Sequence, residues 1–193
     1  MLKNITKYEI WLGSQSPRRR QLLEGLNIPF KVIVNSNIEE KYPEHLSNEQ
    51  IAVYLAELKA QCYKEMMKDN TLLITADTIV CIKGKVLGKP TGRNDAIRML
   101  TLLSGHKHIV ITGVCIMTND KKITFSDSSD VYFSELTDEE IIYYVDNFKP
   151  YDKAGAYGIQ EFIGYIGIEK VTGSFYNVMG LPIHKVYKVL KTF

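Results

Sequence analysis

Residues 13–20 read Gly13-Ser14-Gln15-Ser16-Pro17-Arg18-Arg19-Arg20, which sets two hydroxyls and three guanidinium groups around one proline. They follow an apolar stretch, Tyr8 to Leu12, that reads as a first strand, and they open a helix. Ser16 is of the N-cap type and Pro17 suits the first helical position. A helix N-terminus presents backbone N–H groups and a partial positive charge, which favour phosphate. Ser14 and Ser16 can add hydroxyl donors. Arg18 and Arg19, in the first turn, oppose the helix dipole, a conflict that an anion would remove. An ordinary capped helix with solvated arginines would use the same residues. The order GxxxxGK[ST] is absent, so this is not a Walker loop.

Other polar groups are placed where chemistry is possible. Asp77-Thr78 follows an apolar strand, Thr71 to Ala76, and ligands of open α/β sheets gather at strand carboxyl ends. A carboxylate there can hold a metal ion, take a proton from water, or simply begin a turn. Lys89, between Gly88 and Pro90, is a rigidly placed point charge, suited to phosphate or to solvent. Glu39-Glu40 is a loop carboxylate pair, and Lys59 flanks a helical stripe beside Ala52 and Ala56, where it could snorkel. In Tyr151-Asp152-Lys153-Ala154-Gly155-Ala156-Tyr157-Gly158-Ile159-Gln160, small residues let the backbone approach a neighbour closely. The Gln160 amide donates and accepts, which suits the edge of a nucleobase. A packed turn and strand is the alternative.

The elements that must position these groups alternate. A helix from Ser16-Pro17 buries Leu22, Leu23 and Leu26, and residues 31–34 form a second strand. Ser47 and Gln50 make a capping box for a helix with Ile51, Leu55, Leu58 and Cys62 on one face. Ile79–Ile82 and Lys85–Leu87 flank Lys83-Gly84 as a hairpin. A helix over 94–103, two long strands over 108–117 and 122–133, and a helix capped by Thr137 and Glu140 follow. Residues 154–168 read as turns and a strand, and Pro182 starts the last helix. This predicts an α/β fold with a mixed sheet covered by helices.

Composition narrows the partners. With 24 basic against 22 acidic side chains, the formal charge is +2, which argues against a nucleic-acid coat or a polybasic membrane binder. The scattered tyrosines make RNA or DNA binding weaker still. No segment approaches the roughly 18 apolar residues of a membrane helix. Cys62, Cys81 and Cys115 lack CxxC spacing, which fits buried thiols in a reduced compartment, so a cytoplasmic location is expected. His45, His106, His108 and His184 form no zinc pattern. A homodimer is the commonest state of soluble enzymes.

Together these segments resemble the Maf proteins, once named septum-formation inhibitors and understood as nucleotide pyrophosphatases. Leu12-Gly13-Ser14-Gln15-Ser16-Pro17-Arg18-Arg19 is similar to the family's S-x-S-P-R-R opening, and Ala76-Asp77-Thr78-Ile79-Val80 to its A-D-T-[IV]-V block. Gly88-Lys89-Pro90 and Leu103-Ser104-Gly105 match the blocks that follow, in order. Gly13 stands where Ala is common, a difference of one methyl that leaves little in doubt. The run 152–160 is similar to the branch acting on dTTP and UTP, and differs from the branch described for 7-methyl-GTP. The resemblance implies a single domain over 1–193, two lobes sharing one elongated, curved mixed sheet with a cleft, similar to the inosine-triphosphate pyrophosphatases. It implies cleavage of dTTP and UTP to the monophosphate and pyrophosphate, with Asp77 as the catalytic carboxylate and Arg18, Thr78 and Gln160 setting base preference. It also places Glu40, beside Glu39, with Lys59 and Lys89 on functional positions. Ser14, Ser16, Arg19, Lys59 and Lys89 would hold phosphate, and Glu40 and Asp77 a divalent cation, Mg²⁺ or Mn²⁺. A house-cleaning pyrophosphatase for modified pyrimidine nucleotides, or a nucleotide-binding regulator of cell division, would be alternatives.

Overall fold

The structure, a computed structural model, describes residues 2–35 and 40–193. Its elements are β1 (Glu9–Gly13), α1 (Pro17–Glu24), β2 (Lys31–Ile33), α2 (Asn48–Gln61), β3 (Thr71–Ile82), β4 (Lys85–Leu87), α3 (Arg93–Leu103), β5 (Lys107–Met117), β6 (Lys122–Phe133), α4 (Asp138–Phe148), α5 (Phe162–Gly167), β7 (Ile168–Thr172), α6 (Phe175–Val178) and α7 (Ile183–Leu190). The strands form one sheet in the order β2-β1-β3-β5-β6-β7, with β4 also paired to β3. β1 runs parallel to β2 and β3, whereas β3–β4 and β6–β7 are antiparallel. The mixed α/β sheet expected from the sequence is therefore present. Nearly every position of β3 is buried, as in a central strand covered on both faces.

The chain divides into two compact units. One comprises Met1–Asp77, Thr112–Asp127 and Gly180–Phe193, and the other Thr78–Ile111 and Ser128–Met179. In the first, α2 begins with the capping box of Ser47 and Gln50. Its buried face is Ile51, Ala52, Leu55, Ala56 and Ala60. The helix lies against β5 at Gly113, where an added Cβ would stand 2.1 Å from the Ala52 carbonyl oxygen. That close approach turns the alanines inward. Leu58 is only half-buried and Cys62 is exposed, which corrects the expected stripe and the expectation that all three thiols are buried. Trp11, Tyr63, Leu73, Cys115 and Met117 pack around Ala56 and Ala60.

In the second unit, α3 contributes Ala96, Met99, Leu100 and Leu103 and α4 contributes Ile141, Tyr144 and Val145 to a core with Val80, Val110, Val131, Phe133 and Tyr157. The hairpin turn has Lys83 and Gly84 at φ 48° and 74°, the double positive φ of a type I′ turn.

Two expectations are corrected. β3 does not end at Asp77 but continues to Ile82. Asp77 lies between the stretch paired with β1, Thr71–Ile74, and the stretch paired with β4, Val80–Ile82. Residues 154–168 hold a 3₁₀ turn, Ala154–Ala156, and helix α5 before β7 rather than a strand.

Candidate functional site

The serine–arginine loop leaves β1 through Gly13. A Cβ at Gly13 would lie 2.8 Å from Tyr63 Cε2 and 2.9 Å from Thr75 Cγ2. The difference from alanine is therefore not neutral here, because the Tyr63 ring fills the space of the methyl. Tyr63 is itself fixed: its hydroxyl accepts from the Asn35 N–H at 2.8 Å and donates to the Ile33 carbonyl at 3.4 Å. The two serines serve the chain first. Ser14 Oγ accepts from the Ser16 N–H at 3.2 Å, and Ser16 Oγ caps α1 through the Arg19 N–H at 3.4 Å. Their hydroxyl hydrogens, rather than those N–H groups, are what the serines can offer a phosphate.

Arg19 reaches across the first unit, its Nε donating to the Gly180 carbonyl at 2.7 Å. Burial lowers the Arg19 pKa from the usual arginine value; Asp77 opposes this, Arg18 adds to it and Glu40 opposes it. Arginine stays charged through any such shift. Lys59, on α2, carries the central contact. Its ammonium is bound by Asp77 and lies 2.9 Å from Glu40 Oε1. The Lys59 side chain is 12% exposed and that of Asp77 8%, so Lys59 is a largely buried ion-pair partner and not a snorkelling flank residue. Three elements thus converge: β3 supplies Asp77, α2 supplies Lys59 and α1 supplies Arg19, with Glu40 from the loop before α2. Glu39 lies outside the described residues.

Thr78, Lys89 and Gln160 belong to the second unit. Thr78 and Gln160 are half-buried and Lys89 is exposed. The Lys89 loop is tied to the small-residue run, because the Gly155 N–H donates to the Gly88 carbonyl at 3.0 Å. Gly155, at φ 68°, lets the backbone come so near β3 that a Cβ would stand 3.0 Å from Val80 Cγ2. The close approach expected from Ala154-Gly155-Ala156 is real, and its neighbour is Val80.

A second set of charges, without a signature in the sequence, lies in the second unit. Lys153 Nζ, 8% exposed, lies 2.9 Å from Glu161 Oε1 and 2.7 Å from Asp152 Oδ1, and the Tyr144 hydroxyl donates to Glu161 Oε2. Among the described residues no cluster of three or more His, Cys, Asp or Glu could hold a metal by itself, and no helix is long and apolar enough to cross a membrane.

Solved structures with a likeness to the chain include a HAM1 protein from Coxiella burnetii, at a TM-score of 0.48 and 14% identity over 96% of this chain and 100% of that one. That score is too low to carry an assignment. Sequence relatives are much closer. A dTTP/UTP pyrophosphatase of Parabacteroides distasonis is 58% identical over the full length of both chains. One of Porphyromonas gingivalis is 57% identical over 100% of this chain and 98% of its own, and one of Bacteroides thetaiotaomicron 52% over 99% of each. The family model described as Maf-like protein matches residues 9–193, from the first strand through the last helix, and the chain belongs to the Maf family.

Proposed function

We propose that the protein hydrolyses dTTP and UTP between the α- and β-phosphates, releasing the monophosphate and pyrophosphate. The observation that carries this reading is the Lys59 ammonium held by Asp77 and Glu40 within the electrostatic reach of Arg19, in a chain whose full-length relatives are dTTP/UTP pyrophosphatases.

Water attacks the α-phosphorus, its proton passes to the Asp77 carboxylate, and the bond from that phosphorus to the bridging oxygen breaks as pyrophosphate leaves. Arg18, Arg19, Lys59 and Lys89 neutralise the phosphates; an arginine can do so bidentately and a lysine as a point charge. Ser14 and Ser16 donate their hydroxyl hydrogens to phosphate oxygens. Base preference is assigned to Arg18, Thr78 and Gln160, of which Gln160 offers both a donor and an acceptor.

A divalent cation, Mg²⁺ or Mn²⁺, fits the donor set. Asp77 and Glu40 are hard oxygen ligands that already converge on one cationic group, and Mg²⁺ typically takes one or two carboxylates plus water and substrate phosphates. When bound, such an ion would polarise the phosphates and lower the pKa of its water, which would lighten the demand on the Asp77 carboxylate as the proton acceptor. A cytoplasmic location and a homodimer belong to the same proposal, as does action on free nucleotides with no nucleic-acid or membrane partner; the near-balanced charge supports the last of these.

Asp77→Asn tests the assignment, because Asn keeps the shape and can still accept from Lys59. With metal present, kcat for dTTP is expected to fall at least about 100-fold, the usual worth of a positioned general base. Turnover at the wild-type rate would show that Asp77 is not the catalytic carboxylate.

A further inference from the structure

Gln160 occupies the third position of a tight turn, closed by the Glu161 N–H donating to the Gly158 carbonyl at 3.0 Å. One hydroxyl joins the two ends of that turn. Tyr144 Oη accepts from the Gly158 N–H at 3.1 Å and donates to the Glu161 carboxylate. The other oxygen of that carboxylate, Oε1, lies 2.9 Å from Lys153 Nζ, which ties the turn back to the start of the small-residue run. Lys153 is 8% exposed and Tyr144 fully buried, so neither anchor is a loose surface contact. Burial first, and then the Glu161 hydrogen bond, raises the Tyr144 pKa, which keeps the phenol protonated and able to donate. Gly158 completes the arrangement. A Cβ at that position would lie 2.8 Å from Glu161 Cδ, so the carboxylate occupies the space that any side chain at 158 would need.

We propose that Glu161, held between Tyr144 and Lys153, is a positioning residue that fixes Gln160 and thereby sets discrimination among pyrimidine bases. The inference rests on the reading of Gln160 as the group that faces the base. Its chemical logic lies in the amide. Uracil and thymine present a carbonyl acceptor beside a ring N–H donor, and cytosine presents an amino donor beside a ring acceptor. One glutamine amide can satisfy either pattern after a half-turn about its terminal bond. It selects uracil and thymine over cytosine only if its backbone is held so that one orientation reaches the base. A turn stapled at both ends by Tyr144 and Glu161 provides that restraint.

The test is a double-mutant cycle on the purified full chain, reading kcat and KM for dTTP, UTP and CTP. Gln160→Ala is the reference and is expected to erase most of the preference for dTTP over CTP. Glu161→Gln keeps the size, removes the charge that holds Lys153, and is expected to raise KM for dTTP and UTP on the order of 10- to 100-fold, as small misplacements do. Its kcat should stay within about twofold, since Glu161 is assigned neither to the attacking water nor to the phosphates. Tyr144→Phe, which leaves the ion pair intact, should shift selectivity in the same direction by less. In the Gln160→Ala background, Glu161→Gln should have no further effect on selectivity, because it acts through a side chain already removed. Equal losses with all three substrates, or full additivity in the double variant, would overturn the proposal and leave Glu161 a stability element. If Gln160→Ala itself left selectivity unchanged, the reading of Gln160 would fail first. Retained selectivity in both Glu161→Gln and Tyr144→Phe, with selectivity lost in Gln160→Ala, would overturn the positioning role alone.

Discussion

Gly13→Ala adds one methyl group at the entry to the serine–arginine loop, and its consequence can be worked from the neighbours. The new Cβ would stand 2.8 Å from Tyr63 Cε2 and 2.9 Å from Thr75 Cγ2. Each contact is shorter by more than about half an ångström than the 3.5–4.0 Å at which carbon atoms attract. Neither neighbour can step aside. Tyr63 is held by the hydrogen bonds of its hydroxyl to Asn35 and Ile33, and Thr75 by its hydroxyl donating to the Ala56 carbonyl at 2.7 Å. Overpacking of this kind costs about 1–3 kcal/mol. For a chain of this size each kcal/mol lowers Tm by about 2–4 °C. Urea unfolding of Gly13→Ala, Tyr63→Leu and the double variant separates strain from other effects, because leucine stops short of the Cε2 position. The double variant should be more stable than the sum of the singles by about 1 kcal/mol or more. Ser14 follows directly, so kcat/KM for dTTP should fall in Gly13→Ala and recover in part in the double variant. Strict additivity, or a Gly13→Ala protein within about 0.5 kcal/mol of wild type, would show that the Tyr63 ring does not occupy the space of that methyl.

Three further outcomes follow from the packing. Burial lowers the His108 pKa to about 4, so the unfolded chain binds more protons than the folded one between that value and about 6.5. Stability from this group is complete above about pH 6.5 and should fall by about 3 kcal/mol as the pH drops to about 4; urea titrations of wild type and His108→Phe would have equal pH slopes if the imidazole were not responsible. Gly113→Ala would place a Cβ 2.1 Å from the Ala52 carbonyl oxygen and 2.4 Å from the Val53 nitrogen. Backbone cannot yield as a side chain can, so a loss of at least about 3 kcal/mol is expected, and an unchanged Tm would contradict the close approach of α2 to β5. Thr137→Ala removes the oxygen that accepts from the Glu140 N–H at 3.2 Å and should cost about 1 kcal/mol in thermal unfolding, whereas Thr137→Ser should cost little.

What the sequence disclosed was mostly local chemistry. Ser16 with Pro17, Ser47 with Gln50, and Thr137 with Glu140 cap helices as read, because a cap depends on residues three apart. Lys83-Gly84 turned as expected for the same reason. The misreadings depend on neighbours distant in sequence. Asp77 looks like a strand end, yet β3 continues because it pairs with β4 after its pairing with β1 has stopped. Helix α5 was hidden by Gly164 and Gly167, poor helix formers; Gly164 is needed because a Cβ there would stand 2.1 Å from the Ile159 carbonyl oxygen. In the site, the meeting of Asp77, Glu40 and Lys59 was foreshadowed only by the family resemblance, since no spacing in one sequence joins a loop, a helix and a strand. The Tyr144–Glu161–Lys153 staple gave no local signal at all.

Cleavage of dTTP and UTP between the α- and β-phosphates is read out by pyrophosphate release from the purified protein against dTTP, UTP, CTP, 7-methyl-GTP and ATP, with Mg²⁺ or Mn²⁺ and with chelator. Metal-dependent release from dTTP and UTP, with dTMP and UMP as the co-products, is the expected result. Release of inorganic phosphate in place of pyrophosphate, or no turnover of either pyrimidine nucleotide, would contradict it.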